Sequence, residues 1–183
     1  ELSSIIVKNK SFSYQSAKVI NNSIGKRNNF FTLNKGEKHG IKEGMGVVTH
    51  NAVIGIIHSV SANYSVGISL LHRKSSLGIK LMKNNHNGIL KWNGFNYRTA
   101  NITNFPSHIK LSNNDTITTN SHSVVFPEGI NIGSITNFRK NEEGYYNVEV
   151  TLFEDFNQLN FVYVINSNQA EEQKILEKQI KDE

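Results

Sequence analysis

The sequence predicts an all-β protein made of two small antiparallel β-barrels with little helix. Three observations favour this fold class. Short runs rich in Ile, Val, Thr and Phe recur along the chain and are separated by Gly and Asn, as expected of strands joined by turns. Several runs contain an interior glycine, which is typical of the strongly bent strands of small barrels. No segment within the body shows the apolar spacing of a convincing helix.

The predicted strands follow one another with short turns between them. Alternation is cleanest in the strand at 146–152, which predicts one buried and one exposed face. The strand at 161–165 is apolar on both faces and is expected to be an interior strand. Asn93 and Gly94 predict a tight hairpin turn. The predicted strands cover residues 17–20, 29–33, 46–49, 53–57, 66–71, 77–81, 88–92, 97–102, 132–138, 146–152 and 161–165.

Glycine recurs at four-residue intervals after the second predicted strand, at Gly36, Gly40 and Gly44. With charged residues between them, these glycines predict a series of turns rather than a helix, because glycine adopts positive φ without steric cost. Ile41, the lone apolar residue there, is expected to plug the barrel beneath. Gly55, inside a later strand, predicts a β-bulge or a sharp bend.

The most informative segment runs from 115 to 133. It starts with Asp115 and a strand, passes through a tight loop to Phe126, turns at Pro127 and Gly129, and enters another strand that contains Gly133. Nothing in this pattern is typical of a nucleophile, a base or a metal ligand. We interpret it as a barrel corner in which Phe126 is a buried plug.

These elements divide the chain into four expected regions. An extended leader covers 1–16, a first barrel covers 17–82, and a second barrel covers 83–166. A charged tail at 167–183 is expected to be a frayed helix or disordered. The boundary between the barrels is placed at the polar run that starts at residue 83. The chain begins with Glu1 rather than Met, so an upstream segment is expected.

Charge is distributed unevenly along the chain. Residues 1–114 carry 15 Lys and Arg and 3 Asp and Glu, whereas residues 115–183 carry 5 and 12. Two interpretations stay open: ordinary surface lysines in an Asn- and Lys-rich composition, or a polar molecule that associates head to tail or meets an anionic partner. Cysteine is absent, which excludes disulfides and thiol chemistry. No apolar run approaches the roughly 18 residues that a bilayer span requires.

An alternative function is a serine hydrolase, because chymotrypsin-like proteases also consist of two barrels. His58, Asp115 and either Ser121 or Ser123 occur in the matching chain order. These serines lack the flanking glycines that would let backbone N–H groups form an oxyanion hole. The seven histidines show no compact metal-binding spacing, so we expect neither a metal nor a cofactor.

A second alternative is a barrel that binds single-stranded nucleic acid. Such proteins stack bases on aromatic side chains beside Lys and Arg. The basic half contains five candidate aromatic residues, which are Phe30, Phe31, Trp92, Phe95 and Tyr97. Most of them occupy predicted strand or turn positions and the lysines are scattered, so we do not favour this function.

Two segments resemble the MreC family of bacterial rod-shape-determining proteins. The first, at 31–57, contains Asn34-x-Gly36, Gly40-Ile41 and Gly44-Met45, followed by the strands around Gly55. The second is the 115–133 segment, and its most specific piece is Phe126-Pro127-Glu128-Gly129-Ile130 with Ile132-Gly133. The resemblance spans about residues 17 to 165. Asn114 stands where the family has glycine, and Asn tolerates positive φ better than other non-glycine residues.

The resemblance implies a double barrel without a catalytic set, and a non-enzymatic scaffold of the cell-elongation machinery. Its implied partners are itself, a class B penicillin-binding transpeptidase and, through the full-length complex, MreD, RodA and MreB. It also implies a membrane-spanning helix and a coiled coil ahead of residue 1, with the barrels on the periplasmic or extracellular face of the inner membrane. The residues expected to carry the structural motif are Gly36, Gly40, Gly44, Gly55, Asp115, Phe126, Pro127, Gly129 and Gly133. The partner-binding residues are not identified by the motif.

Overall fold

The computed structural model describes residues 11–167, the side chain of Asn104 excepted, and this part of the chain is all-β. Two single-turn 3-10 helices, Glu37–His39 and Phe156–Gln158, lie between strands. The twelve strands are β1 (Phe12–Asn22), β2 (Asn28–Leu33), β3 (Gly46–Val48), β4 (Val53–Val60), β5 (Ser65–His72), β6 (Leu77–Leu81), β7 (Asn87–Lys91), β8 (Thr99–Pro106), β9 (Thr116–Thr119), β10 (Asn131–Lys140), β11 (Tyr145–Leu152) and β12 (Phe161–Ser167).

The strands form two closed barrels of six strands each. Around the first barrel the order is β1, β12, β3, β4, β5 and β2, and around the second it is β10, β11, β8, β7, β6 and β9. Neighbouring strands pair in antiparallel fashion. The predicted fold class, two small antiparallel barrels, is therefore confirmed. Closure leaves neither sheet with the unpaired edge strands that would otherwise invite aggregation.

The strands are divided between the two barrels differently from the expected ranges, which were 17–82 for the first barrel and 83–166 for the second. β6 pairs with β7 and β9 and belongs to the second barrel. β12 pairs with β1 and β3 and closes the first barrel, although it lies at the far end of the chain. The chain thus starts the first barrel, builds the whole second barrel, and returns to finish the first.

The two ends of the described chain lie side by side. Phe12 pairs with Ser167, and the same register continues to Lys18 opposite Phe161. Residues 12–16, expected to be part of an extended leader, are therefore the first half of β1. The rest of that leader and most of the tail expected at 167–183 lie outside the described residues.

Buried positions follow the alternation of the strands. In β11, Val148, Val150 and Leu152 are buried while Asn147 and Glu149 are exposed, as predicted. β12 pairs with a strand on each side, as the prediction of an interior strand requires, but its apolar residue Phe161 is not buried. That side chain is 68% exposed, because its face of β12 points outward at this end of the barrel.

A β-bulge bends β4 as the sequence predicts. Val47 pairs with Gly55 and Val48 pairs with Val53, so Ile54 is the extra residue. A Cβ atom at Gly55 would lie 2.1 Å from the carbonyl oxygen of Ile68 on the adjacent strand. Glycine is required here because the neighbouring backbone approaches too closely for any side chain.

Candidate functional site

The corner between β9 and β10 is held by the hydroxyl of Thr119. This hydroxyl donates to the carbonyl oxygen of Pro127 at 2.6 Å and accepts from the backbone N–H of Ile130 at 2.9 Å. The backbone of Thr119 also exchanges hydrogen bonds with Gly129 and Ile130. Gly129 has φ of 89°, a conformation that favours glycine. The sequence analysis missed Thr119, because nothing local distinguishes it from the neighbouring Thr118.

Phe126 is buried and lies between the two barrels. Its side chain is 1% exposed, and a Cβ atom at Gly46 of β3 would lie 2.6 Å from its Cε1 atom. The loop of the second barrel therefore packs its ring directly on the backbone of the first barrel. Ser123 shapes the approach, since its hydroxyl accepts from the N–H groups of Val125 and Phe126 at 3.2 and 3.1 Å.

Asp115 fixes the turn that precedes β9. Its carboxylate accepts from the backbone N–H of Ser112 at 2.7 Å and pairs with Lys83 at 2.6 Å. Asn114, inside that turn, has φ of 69°. An asparagine therefore occupies a left-handed position that glycine would occupy most easily. The carboxylate of Asp115 is thus engaged by a structural turn.

The glycine-rich segment forms turns with one 3-10 turn in their midst. Gly40 and Gly44 have φ of 79° and 83°, as the turn prediction requires. Gly36 differs, since its φ is −142°. A glycine is needed at position 36 because a Cβ atom there would lie 2.1 Å from the carbonyl oxygen of Ser61. Ile41 is buried in the first barrel.

Gly133 resembles Gly55 in its role. A Cβ atom at Gly133 would lie 2.2 Å from the carbonyl oxygen of Thr151 on β11. The register of β10 against β9 also shifts between Asn131 and Gly133. The 115–133 segment therefore ends where two backbones come into close contact.

A hydrogen bond also joins the first barrel to the segment that leads back from the second. The hydroxyl of Thr49, which follows β3, donates to the carboxylate of Glu154. Asn22 at the end of β1 donates from Nδ2 to the carbonyl oxygen of Phe156 at 2.6 Å. The Phe126 contact thus joins the two barrels directly, and these two bonds join the first barrel to the segment between β11 and β12.

Two of the four candidate hydrolase residues, Asp115 and Ser123, are engaged in structural hydrogen bonds. His58 lies on β4, where its ring centroid is 6.5 Å from that of Phe30. Asp115 is bound to Ser112 and Lys83, and Ser123 accepts two backbone N–H groups of its own loop. Ser121 is an exposed loop residue. No group of three or more His, Asp or Glu in residues 11–167 is placed to hold a metal ion.

The fold redistributes the charge that the sequence separates into two halves. The strands and connections of the first barrel, 11–76 and 161–167, carry eight Lys and Arg and two Asp and Glu. The second barrel, 77–152, carries seven and five. Neither barrel has a net negative charge. A head-to-tail association of two copies would therefore have no acidic barrel to pair with the basic one.

A basic cluster, defined as Lys26, Arg27, Arg73 and Lys74, occupies one end of the first barrel. All four side chains are exposed, and none of them forms an ion pair with another described residue. Their two loops are joined by a hydrogen bond from the N–H of Arg73 to the carbonyl oxygen of Arg27 at 3.0 Å. Nδ2 of the buried Asn29 also donates to the carbonyl oxygen of Lys26.

The five aromatic residues considered for nucleic-acid stacking do not share one surface. Phe31 is 1% exposed inside the first barrel, and its neighbour Phe30 lies on the outer face. Trp92, Phe95 and Tyr97 belong to the connection between β7 and β8 in the second barrel, where Trp92 is only 5% exposed. Two of the five rings, Phe31 and Trp92, are therefore buried and could not stack on a base.

Comparison with known proteins gives a consistent result. The family described as "Rod shape-determining protein MreC, barrel core" matches residues 19–166. Among curated proteins, no sequence match was found. Within residues 11–167, no helix has the length and apolar character that crossing a membrane would require.

Solved structures share the fold at low sequence identity. MreC from Listeria monocytogenes is 23% identical with a TM-score of 0.78, over 86% of this chain and 77% of that one. The major periplasmic domain of "the cell shape-determining filament MreC" is 18% identical with a TM-score of 0.71, over 87% and 98%. A complex between Penicillin-Binding Protein (PBP2) and MreC from Helicobacter pylori gives 16%, 0.68, 85% and 98%.

The family match covers most of the chain and coincides with the double barrel described above. It includes the glycine-rich turns, the bulged β4 and the Phe126 corner, together with most of the returning β12. The chain therefore belongs to the MreC family of rod shape-determining proteins.

Proposed function

We propose that this chain is a non-enzymatic scaffold of the bacterial cell-elongation machinery that binds a class B penicillin-binding transpeptidase. The observation that carries the proposal is the solved PBP2–MreC complex, in which the matched chain has the fold of this one. Binding would select one conformation of the transpeptidase, since a partner can only shift an equilibrium by binding one state more tightly than another.

The geometry agrees with a role in binding. The residues of the 115–133 segment are occupied by structural contacts: Thr119 and Phe126 hold the corner, and Asp115 holds a turn. This leaves the outer surfaces of the barrels to contact partners.

Self-association and the location of the protein are also part of this proposal. Self-association is supported by the description of a related structure as a filament protein. A location on the periplasmic or extracellular face of the cytoplasmic membrane is supported by the periplasmic origin of that same relative. An anchor ahead of residue 1 and assembly with MreD, RodA and MreB remain predictions.

A pull-down with the periplasmic domain of the cognate transpeptidase tests the proposal. The tagged protein should retain the transpeptidase, whereas a tagged barrel protein of unrelated sequence should not. A variant with Lys26, Arg27, Arg73 and Lys74 all replaced by Glu shows whether the basic cluster faces the partner. Failure of the wild-type protein to retain the transpeptidase would contradict the proposal.

A further inference from the structure

Two asparagines of the chain precede a glycine, Asn87 before Gly88 and Asn93 before Gly94. Asparagine is chemically labile, because the backbone nitrogen of the next residue can attack the amide carbon of its side chain. A following glycine leaves that attack least hindered, since glycine has no Cβ atom. Both asparagines are exposed, so access to water does not distinguish them. The two sites share the same local chemistry and differ in how the fold holds them.

The first site, Asn87 with Gly88, is held in the ladder between β6 and β7. Gly88 lies opposite Ile79. Two residues further along this ladder, the N–H of Leu81 donates to the carbonyl oxygen of His86 at 2.9 Å. Hydrogen-bonded pairs alternate along an antiparallel ladder, so Gly88 and Ile79 form the next such pair. The nitrogen of Gly88 is therefore engaged by the neighbouring strand and does not face the side chain of Asn87.

The second site, Asn93 with Gly94, lies in the connection between β7 and β8, outside the ladders. Gly94 has φ of 88°, a turn conformation that favours glycine. Among the hydrogen bonds of residues 11–167, none uses the N–H of Gly94 as its donor. A Cβ atom at Gly94 would meet nothing within 4 Å, so the space around this nitrogen is open. The nitrogen that must attack is thus free and accessible to water.

The side chain of Asn93 is also oriented for the attack. Its Oδ1 atom accepts from the N–H of Phe95 at 3.0 Å, which closes a turn that runs from the side-chain amide through Gly94. This bond draws electron density from the amide carbon and holds that carbon over the Gly94 peptide. Trp92 fixes the loop further, since its Nε1 donates to the carbonyl oxygen of Asn96 at 2.8 Å. Holding two reacting groups together in this way favours their reaction.

We propose that Asn93 is a site of spontaneous deamidation, whereas Asn87 is protected by the β6–β7 ladder. The nitrogen of Gly94 loses its proton to solvent and forms a bond to Cγ of Asn93, and the side-chain nitrogen leaves as ammonia. Water then opens the resulting cyclic imide at either carbonyl, which gives aspartate or isoaspartate. A water molecule is consumed and an ammonia molecule is released, and nothing is oxidised or reduced.

The reaction changes the surface that this loop presents. Either product places a carboxylate beside Phe95, whose ring is 92% exposed. Isoaspartate also lengthens the turn by a methylene group, which disturbs the hydrogen bond from Phe95 to position 93. The conversion is irreversible without repair, so aged copies of the protein differ from new ones in the charge and shape of this loop. The inference does not depend on the proposed function.

The test incubates the folded protein at mildly alkaline pH and follows both asparagines by peptide mass spectrometry. The Asn93 peptide should convert to its acidic form at least about ten-fold faster than the Asn87 peptide, because the ladder must open before Asn87 can react. In guanidinium chloride the two sites should react at similar rates, since the ladder no longer protects Asn87. Labelling by an isoaspartyl methyltransferase identifies the isoaspartate product.

Two matched variants assign the acidic species that ion-exchange chromatography separates after incubation. Asn93→Gln should abolish it, because glutamine would have to form a larger ring and reacts far more slowly, and Asn87→Gln should leave it unchanged. Equal rates at the two sites in the folded protein would overturn the inference. An acidic species that persists in Asn93→Gln would do so too, as would an Asn93 that stays intact in the folded protein while the unfolded protein converts.

Discussion

The ring of Phe126 rests on Gly46, so the corner of the second barrel is packed against a strand of the first. A Cβ atom at Gly46 would lie 2.6 Å from Cε1 and 2.9 Å from Cδ1 of that ring. Real Cβ atoms do not approach that closely, and an aromatic ring cannot move aside without disturbing its surroundings. We infer that the corner plugs the junction between the barrels as well as its own barrel.

Phe126→Ala should lower the free energy of unfolding by about 3–5 kcal/mol, the usual cost of emptying a fully buried aromatic site. Urea denaturation measures this value. Phe95→Ala is the control, because that ring is exposed and its removal should change stability by less than about 0.5 kcal/mol. An unshifted transition in Phe126→Ala would show that the ring is not part of the core.

Gly46→Ala should destabilise the protein by about 1–3 kcal/mol, because the added methyl group overpacks the junction. In a Phe126→Ala background the same methyl group enters vacated space, so its cost should fall by at least about 1 kcal/mol. The double-mutant cycle in urea measures this coupling. Strict additivity of the two changes would contradict direct contact between the residues.

Local sequence patterns predicted the strands well because alternation and turn residues act over a few positions. Val148, Val150 and Leu152 are buried on one face of β11, and Asn114 supports a turn by positive φ. Pairing over long sequence distances leaves no such local pattern. The return of β12 to β1, with Lys18 opposite Phe161, could not be predicted from either segment alone.

Side-chain contacts of the corner between residues far apart in the sequence could not be predicted either. Phe126 could be predicted as a buried plug from its place before a Pro–Gly turn. Its contact with Gly46 could not, because it joins residues of different barrels. The two charge halves were likewise a property of the linear sequence, which the interleaved chain path redistributes between the barrels.

Thr119→Val should cost about 1–3 kcal/mol, because it leaves the buried carbonyl of Pro127 and the N–H of Ile130 without the hydroxyl. Thr118→Val is a closely matched control. The hydroxyl of Thr118 is buried and has no hydrogen-bond partner in the described residues, so its loss should be neutral or stabilising. Equal effects of the two substitutions in urea denaturation would contradict the role assigned to Thr119.

Stability should fall as the pH falls through about 6.5, partly because of His72. Burial lowers the pKa of His72, and the positive charges of Lys74 and His58 lower it further. Its Nδ1 atom also accepts from the N–H of Lys74 at 3.0 Å, which requires that nitrogen to be unprotonated. The unfolded chain therefore binds the proton more readily than the folded chain, and acid favours unfolding.

Melting temperatures of the wild-type protein and of His72→Asn, taken between about pH 8 and pH 5, measure this contribution. The variant should lose less stability on acidification than the wild-type protein. His50→Asn, at an exposed position, should keep the wild-type dependence. A pH dependence in His72→Asn equal to that of the wild-type protein would show that His72 does not contribute.

We propose that the barrels act by binding a transpeptidase through their outer surfaces. Titration calorimetry between this protein and the periplasmic domain of the cognate class B transpeptidase measures this binding. We predict a saturable isotherm with a dissociation constant in the micromolar range or tighter. Absence of any binding heat at several temperatures, with both proteins folded and at concentrations well above micromolar, would contradict the claim.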